Sequence, residues 1–151
     1  MKLQLNVQYG VTRAHLPAKS TIRRWAQAAL KGWRPRRAAL GVRVVGARES
    51  AALNARFRRQ RHPTNVLSFP FEAPPGARSE ILGDLVICAP VVRQEARQQN
   101  KIFRAHWAHM VVHGILHLRG YDHRNRRDAA VMEQMEIHIL KELGYANPYL
   151  Q

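Results

Sequence analysis

Phe103-Arg-Ala-His-Trp-Ala-His-Met-Val-Val-His-Gly-Ile-Leu-His-Leu-Arg-Gly-Tyr-Asp-His123 is the stretch on which the architecture turns. Its middle, Trp107 to Leu116, is apolar nearly all round, the mark of a helix buried on every side. Gly120 interrupts the helix, because glycine enters the left-handed geometry of a helix end without strain. His113 and His117 stand four residues apart, so both imidazoles share one helix face about one turn apart. Where the chain turns back at Gly120, His123 can swing toward them. Two helical histidines and a third delivered by a turn can hold a metal through three nitrogens and leave a fourth position open.

His106 and His109 lie near the same helix face. A run of His109, His113 and His117 spans two turns, roughly 12 Å at about 1.5 Å per residue. Bonds of about 2.0–2.1 Å cannot gather both ends of that span onto one ion. The third ligand therefore comes from off the helix, and His123 is the nearby candidate. His106 and His109 read as supporting or packing histidines. An open coordination position suits hydrolysis: a metal there lowers the pKa of water toward about 7 and polarises a phosphoryl oxygen. A structural zinc site is usually closed by four protein ligands, and no fourth ligand has strong spacing here. Three nitrogens suit zinc, but also nickel, copper or iron.

The spacing His-x3-His-x2-Gly-x2-His is also that of the metzincin peptidases, where a Glu after the first His serves as general base. Here that position is Gly114, so the peptidase mechanism lacks its base. No general base is assigned. Asp122 faces away or caps the turn beside His123. Asp84 either orients a ligand histidine or caps the sheet.

A chain of 151 residues is one domain, 1–151, long enough for a real hydrophobic core. Its 25 Lys and Arg against 10 Asp and Glu give a net charge of +15, and the pI is near 11.4. That imbalance calls for a polyanionic partner. No acidic residue precedes Glu49. Arg34, Arg36 and Arg37 flank Pro35, and Arg56, Arg58, Arg59 and Arg61 form a second group; both are candidates for nucleic-acid contact. Arg58, helped by Arg59, is the candidate to neutralise a phosphate in the transition state, since a guanidinium fork suits bidentate binding. The lone cysteine, Cys88, excludes an internal disulfide, suits a reducing cytosol and sits among apolar neighbours as a core residue. No apolar run approaches the roughly 20 residues of a membrane span and no signal peptide is read. The expectation is a cytoplasmic protein with no membrane partner and no small-molecule cofactor.

Alternation of apolar and polar residues predicts a strand over 2–9, with Leu3, Leu5, Val7 and Tyr9 inward. A helix follows over about 18–31, burying Ile22, Trp25, Ala26, Ala29 and Leu30. Residues 39–45 read as a second strand. A helix from 49 or 50 to about 58 turns Leu53 and Phe57 inward. Strands at 66–69 and 81–88 bracket a loop at 72–80, the latter strand apolar enough to be central. Helices are predicted over about 90–100, through the histidine-rich stretch, and over about 126–143. In the last, Met132, Met135, Ile139 and Leu143 form the inner stripe, while Glu133, Glu136 and His138 face solvent. The order is α/β: a single-layer mixed sheet of about four strands packed with about five to six helices. The central buried helix lies under the sheet and carries the metal site to the surface at its C-terminal end.

Four stretches together resemble the YbeY family, the bacterial rRNA-maturation endoribonucleases. They are the string from His113 to His123, Leu53-Asn54-x-x-Phe57-Arg58, Pro63-Thr64-Asn65-Val66-Leu67-Ser68-Phe69-Pro70, and Gly83-Asp84-Leu85-Val86-Ile87. The resemblance covers essentially the whole chain, with Asn65 where many members have Asp. It implies that His113, His117 and His123 hold one Zn2+ and that Arg58 stands near the metal cleft. It implies a cytoplasmic, single-strand-specific endoribonuclease acting in 16S rRNA 3′-end maturation and ribosome quality control. Its partners would be rRNA and the small ribosomal subunit, with ribosomal proteins or assembly GTPases beside them. The competing readings are a ribosome-assembly RNA-binding factor whose metal is mainly structural, and a metallopeptidase-like hydrolase.

Overall fold

The computed structural model describes residues 1–76 and 79–150. Of the loop expected over 72–80, residues 77 and 78 lie outside the described residues, as does Gln151 at the end of the expected domain. The elements run β1 (Lys2–Tyr9), α1 (Lys19–Ala29), β2 (Arg37–Val45), α2 (Ala47–Arg58), β3 (Val66–Pro70), β4 (Ile81–Cys88), α3 (Ala89–Gln98), α4 (Phe103–Leu118) and α5 (Arg126–Glu142). The strands form one sheet in the order β1-β2-β4-β3. β1, β2 and β4 are parallel, and β3 joins the edge antiparallel to β4. This is the mixed α/β arrangement expected, with β4 between two neighbours. Ends move by a few residues: β2 and α2 each begin about two residues earlier than periodicity placed them.

Successive strand residues point to opposite faces, and the two faces of this sheet are unequal. One face carries Leu3, Leu5, Leu40, Val42, Val44, Leu85 and Ile87 into the main core, with Ile22, Trp25, Trp107 and the inner residues of α4. The other face holds a smaller cluster of Val45, Leu67, Val86 and Cys88 beneath Leu53, Phe69 and Val91. Residues 85–88 of β4 are thus buried on both sides, as their unbroken apolar run predicts. Burial also pushes the Cys88 thiol up, consistent with a packing residue. Phe57 departs from expectation: it is 51% exposed. It stands edge-on to Phe69 of the edge strand with ring centroids 5.1 Å apart, because α2 reaches only the rim of the smaller cluster there.

α4 is packed against α1, α3, α5, β3 and β4. Gly114 is what lets it lie so close to the sheet. A Cβ at that position would stand 2.7 Å from Leu85 Cδ2 and 3.3 Å from Val66 Cγ2. Ser68 Oγ of β3 donates to the Gly114 carbonyl at 3.2 Å. Position 114 therefore looks into the sheet, and a glutamate there would be driven into the core, so no metzincin-type base is available.

Gly114→Ala sets two effects against each other. Helix propensity favours alanine by about 1 kcal/mol, while overpacking costs about 1–3 kcal/mol. Leu85 is fully buried and has nowhere to retreat, so the variant should unfold at lower denaturant with an unchanged slope. A midpoint equal to or above that of the parent chain would show that the sheet yields.

Candidate metal centre

The C-terminal end of α4 is closed by a paired-bond cap. Gly120 takes φ +99°, its N–H donates to His117 O at 3.0 Å, and the Tyr121 N–H donates to Leu116 O at 3.0 Å. The chain then reverses. Asp122 fixes the reversal: Oδ1 accepts from the His123 N–H at 2.7 Å and Oδ2 from Arg124 Nε at 2.6 Å. These bonds, the backbone one first, hold its carboxyl below the usual range. Asp122 is therefore a cap of the turn.

The three imidazoles expected to meet do so. Ring centroids are 4.6 Å apart for His113 and His117, 5.0 Å for His117 and His123, and 5.9 Å for His113 and His123. One ligand-capable nitrogen from each lies within 4.8 Å of the other two. His113 and His117 are half-buried and His123 is exposed, so the group is open on one side.

The donor chemistry fits a cation. His117 Nε2 and His113 Nε2 are only 3.1 Å apart, a distance at which two lone pairs repel unless a proton or an ion lies between them. Two nitrogens bound to one tetrahedral ion at about 2.0–2.1 Å each would be separated by about 3.3 Å. His113 Nδ1 faces Glu136 Oε1 at 2.5 Å, which assigns its proton to Nδ1 and leaves Nε2 as the free donor. Burial first, then the neighbouring His113 and His123, push His117 below its ordinary pKa. Among the described residues, no fourth side chain of ligand type joins this trio. Three imidazole nitrogens with an open corner suit zinc or another transition metal.

Glu136 corrects the sequence reading, which placed it in solvent. It is fully buried. Its Oε1 meets His113 Nδ1 and, at 3.3 Å, His109 Nε2, and its Oε2 accepts from the Tyr149 hydroxyl. Burial alone would raise the carboxyl, but the bonds from His109 and His113 outweigh it and hold the pKa down to about 2. The signal was present in the sequence: Glu136 is four residues after Met132 and three before Ile139, inside the apolar stripe of α5. Glu133 and His138 are exposed, as expected.

A second carboxylate supports the helix farther back. Glu95 of α3 meets His106 Nε2 at 2.9 Å and accepts from Asn65 Nδ2 at 3.2 Å on both oxygens. Burial opposes its charge, and these bonds lower its pKa all the same. Asn65 acts here as a donor, which an ionised aspartate could not do. His106 and His109 thus have the supporting places expected of them, while Glu95, Glu136 and Tyr149 were missed.

The arginines lie elsewhere on the surface. Arg58 is the last residue of α2 and exposed; Arg59 caps that helix at φ 56°. Arg56 lies over the Phe57 ring, 5.2 Å from its centroid. Arg61, Arg34, Arg36 and Arg37 are exposed, Arg37 opening β2. Asp84 does not orient a ligand histidine. It alternates with Leu85, so it points to the sheet face away from α4, its carboxylate lying over Gly41 of β2.

A family model described as Endoribonuclease YbeY matches residues 8–144. A relative from Stenotrophomonas maltophilia (strain K279a), named Endoribonuclease YbeY, is 50% identical over 153 residues, covering 99% of this chain and 94% of its own length. One of the same name from Alkalilimnicola ehrlichii is 56% identical over 151 residues, covering 97% of this chain and 91% of its own. The solution structure of TM1509 from Thermotoga maritima is similar with a TM-score of 0.60 at 23% identity, over 98% of this chain and 100% of that one. At that identity it speaks for the fold alone.

Proposed function

The chain belongs to the endoribonuclease YbeY family, and from that premise we propose that it is a metal-dependent endoribonuclease that cuts single-stranded RNA. The observation that carries this reading is the convergence of three imidazole nitrogens, open on one side, in a chain of net charge +15. The proposed substrate is the 3′ end of 16S rRNA, with a further role in ribosome quality control. Small-subunit rRNA, ribosomal proteins and assembly GTPases are the partners to test, in the cytoplasm. No helix among the described residues is long and apolar enough to cross a membrane.

His113, His117 and His123 would hold the ion, zinc being the proposed one. When bound, it would supply Lewis acidity at a phosphoryl oxygen and a more acidic water. The chain's own residues do the rest. Glu136 holds the His113 ring in one tautomer and one orientation, and His109 shares that carboxylate. Arg58 neutralises charge building on the phosphate. What supports this role is its exposure at the end of α2, where the guanidinium fork is free to meet a phosphate. Neither nearby carboxylate is free to accept a proton from the attacking oxygen. Glu136 is buried and bonded on both oxygens, and Asp122 is committed to its turn.

The test compares cleavage of a short single-stranded RNA and its duplex by the metal-loaded chain, the chelated chain and Arg58→Ala. Chelation should abolish cleavage, and reloading should restore it. Arg58→Ala should still bind RNA but cut about 10²–10³-fold more slowly, the cost of losing one transition-state donor. Undiminished cleavage in both the chelated chain and the Arg58 variant would overturn the reading. Tight RNA binding with no cleavage by the metal-loaded chain would favour an assembly factor with a structural ion.

A further inference from the structure

At the Gly120 turn, which lies between His117 and His123 in the chain, is a cleft of about 570 Å³. One wall is Trp33, Arg34 and Pro35, from the segment between α1 and β2; the other is Arg119, Gly120 and Tyr121, from the end of α4. The volume is in the range of small-ligand sites. Trp33 and Tyr121 are both half-buried, so each keeps part of a ring accessible.

The walls are preformed. Arg119 Nη1 donates to Ala29 O at 2.8 Å and to Lys31 O at 3.4 Å, tying the end of α4 to the segment that carries Trp33. Its guanidinium also lies 5.7 Å from the Tyr121 ring centroid. Trp33 Nε1 donates to Arg37 O at 3.3 Å, which fixes the indole to its own loop. Arg34 is exposed at the mouth. Among the described residues, no carboxylate lines the cleft.

We propose that this cleft seats one nucleotide of the single-stranded RNA substrate, its base against Trp33 and Tyr121 and its phosphate on Arg34. The inference rests on the RNA-cleaving function proposed above and extends it to a subsite. An inorganic anion would have no use for two aromatic rings, and an apolar ligand none for two guanidinium groups. A nucleotide needs both, and stacking of this kind accepts any base. The same turn builds the cleft and delivers His123. From Tyr121 to His123 the backbone reaches at most about 7 Å, the scale of one nucleotide step. A strand held in the cleft thus leads its next phosphate toward the histidines.

Trp33 provides its own probe. The chain has three tryptophans, and Trp25 and Trp107 are both 0% exposed, so a ligand that quenches fluorescence by contact does so at Trp33. The metal-free 151-residue chain is titrated with uridine monophosphate, inorganic phosphate and a short single-stranded oligoribonucleotide. The nucleotide and the oligomer should quench, and phosphate should not. Trp33→Ala should weaken oligomer binding about tenfold, the order of one lost base stack. Arg34→Ala should lower the salt slope of binding by about one. If Trp33→Ala fails to fold, Trp33→Phe and the exposed Arg34 carry the test. Equal quenching by phosphate would overturn the nucleotide subsite. So would an oligomer that binds and is cut normally while Trp33 stays silent and both variants bind like the parent; the nuclease reading would then stand without this cleft. Absence of any RNA binding or cleavage by the metal-loaded chain would remove both.

Discussion

His117→Ala should give a folded chain that no longer retains a metal ion through dialysis and cuts RNA at least about 10³-fold more slowly, since the ion is worth several kcal/mol to the reaction. The position separates chemistry from stability. His117 contributes a nitrogen to the trio and is half-buried, but it takes no part in the Glu136 pairings. His113→Ala would remove a donor and strand a buried carboxylate at once, so its loss of activity would be harder to read. Elemental analysis, circular dichroism and an RNA cleavage assay on His117→Ala give the answer together. Full metal content with full activity would dismiss the trio as the working site.

The second large effect is expected at Glu136. Glu136→Ala leaves His113, His109 and Tyr149 without their shared acceptor, and breaking a buried pair of this kind costs about 3–5 kcal/mol, a large part of a typical domain's stability. Glu136→Gln keeps the volume but weakens the bond that orients His113, and metal affinity should fall about 10–100-fold. The pH dependence has a definite sign. The folded carboxyl titrates near 2, below its ordinary 4.5. The stability it contributes is therefore complete above pH 4.5 and is lost as pH falls from there toward 2. For the metal-free chain this is on the order of 3 kcal/mol across that window. Denaturation midpoints at pH 5 and pH 3 should diverge in the parent chain and much less in Glu136→Gln. Parallel losses in the two chains would mean that other groups govern acid unfolding.

The parts of this molecule that were legible in its residues are those set by short-range rules. A four-residue interval and a glycine-terminated helix bring His113, His117 and His123 to one place, and alternation in β1 gives the inner face of the sheet. What escaped depends on contacts between distant segments. Glu136 was grouped with Glu133 and His138 by its charge, although its spacing from Met132 and Ile139 put it on the buried face. Asp84 was considered as support for a histidine, although Leu85 beside it already claimed the inner face of β4. Phe57 was turned inward by helical spacing alone, with no way to see that the last turn of α2 would reach only the rim of the smaller cluster. For the two carboxylates the side chain's type was weighed above the geometry of its element.

The buttress on His113 has a bearing on when the centre becomes usable. Glu136 comes from α5, and Tyr149 closes over it from beyond that helix, where Lys101 Nζ also holds Pro148 O at 2.5 Å. A growing polypeptide, emerging N-terminus first, carries all three imidazoles before either clamp exists. Until α5 and the segment after it have been synthesised and docked, the His113 ring is free to rotate. On the function proposed above, hydrolytic competence would arrive only once α5 and Tyr149 have docked against His113.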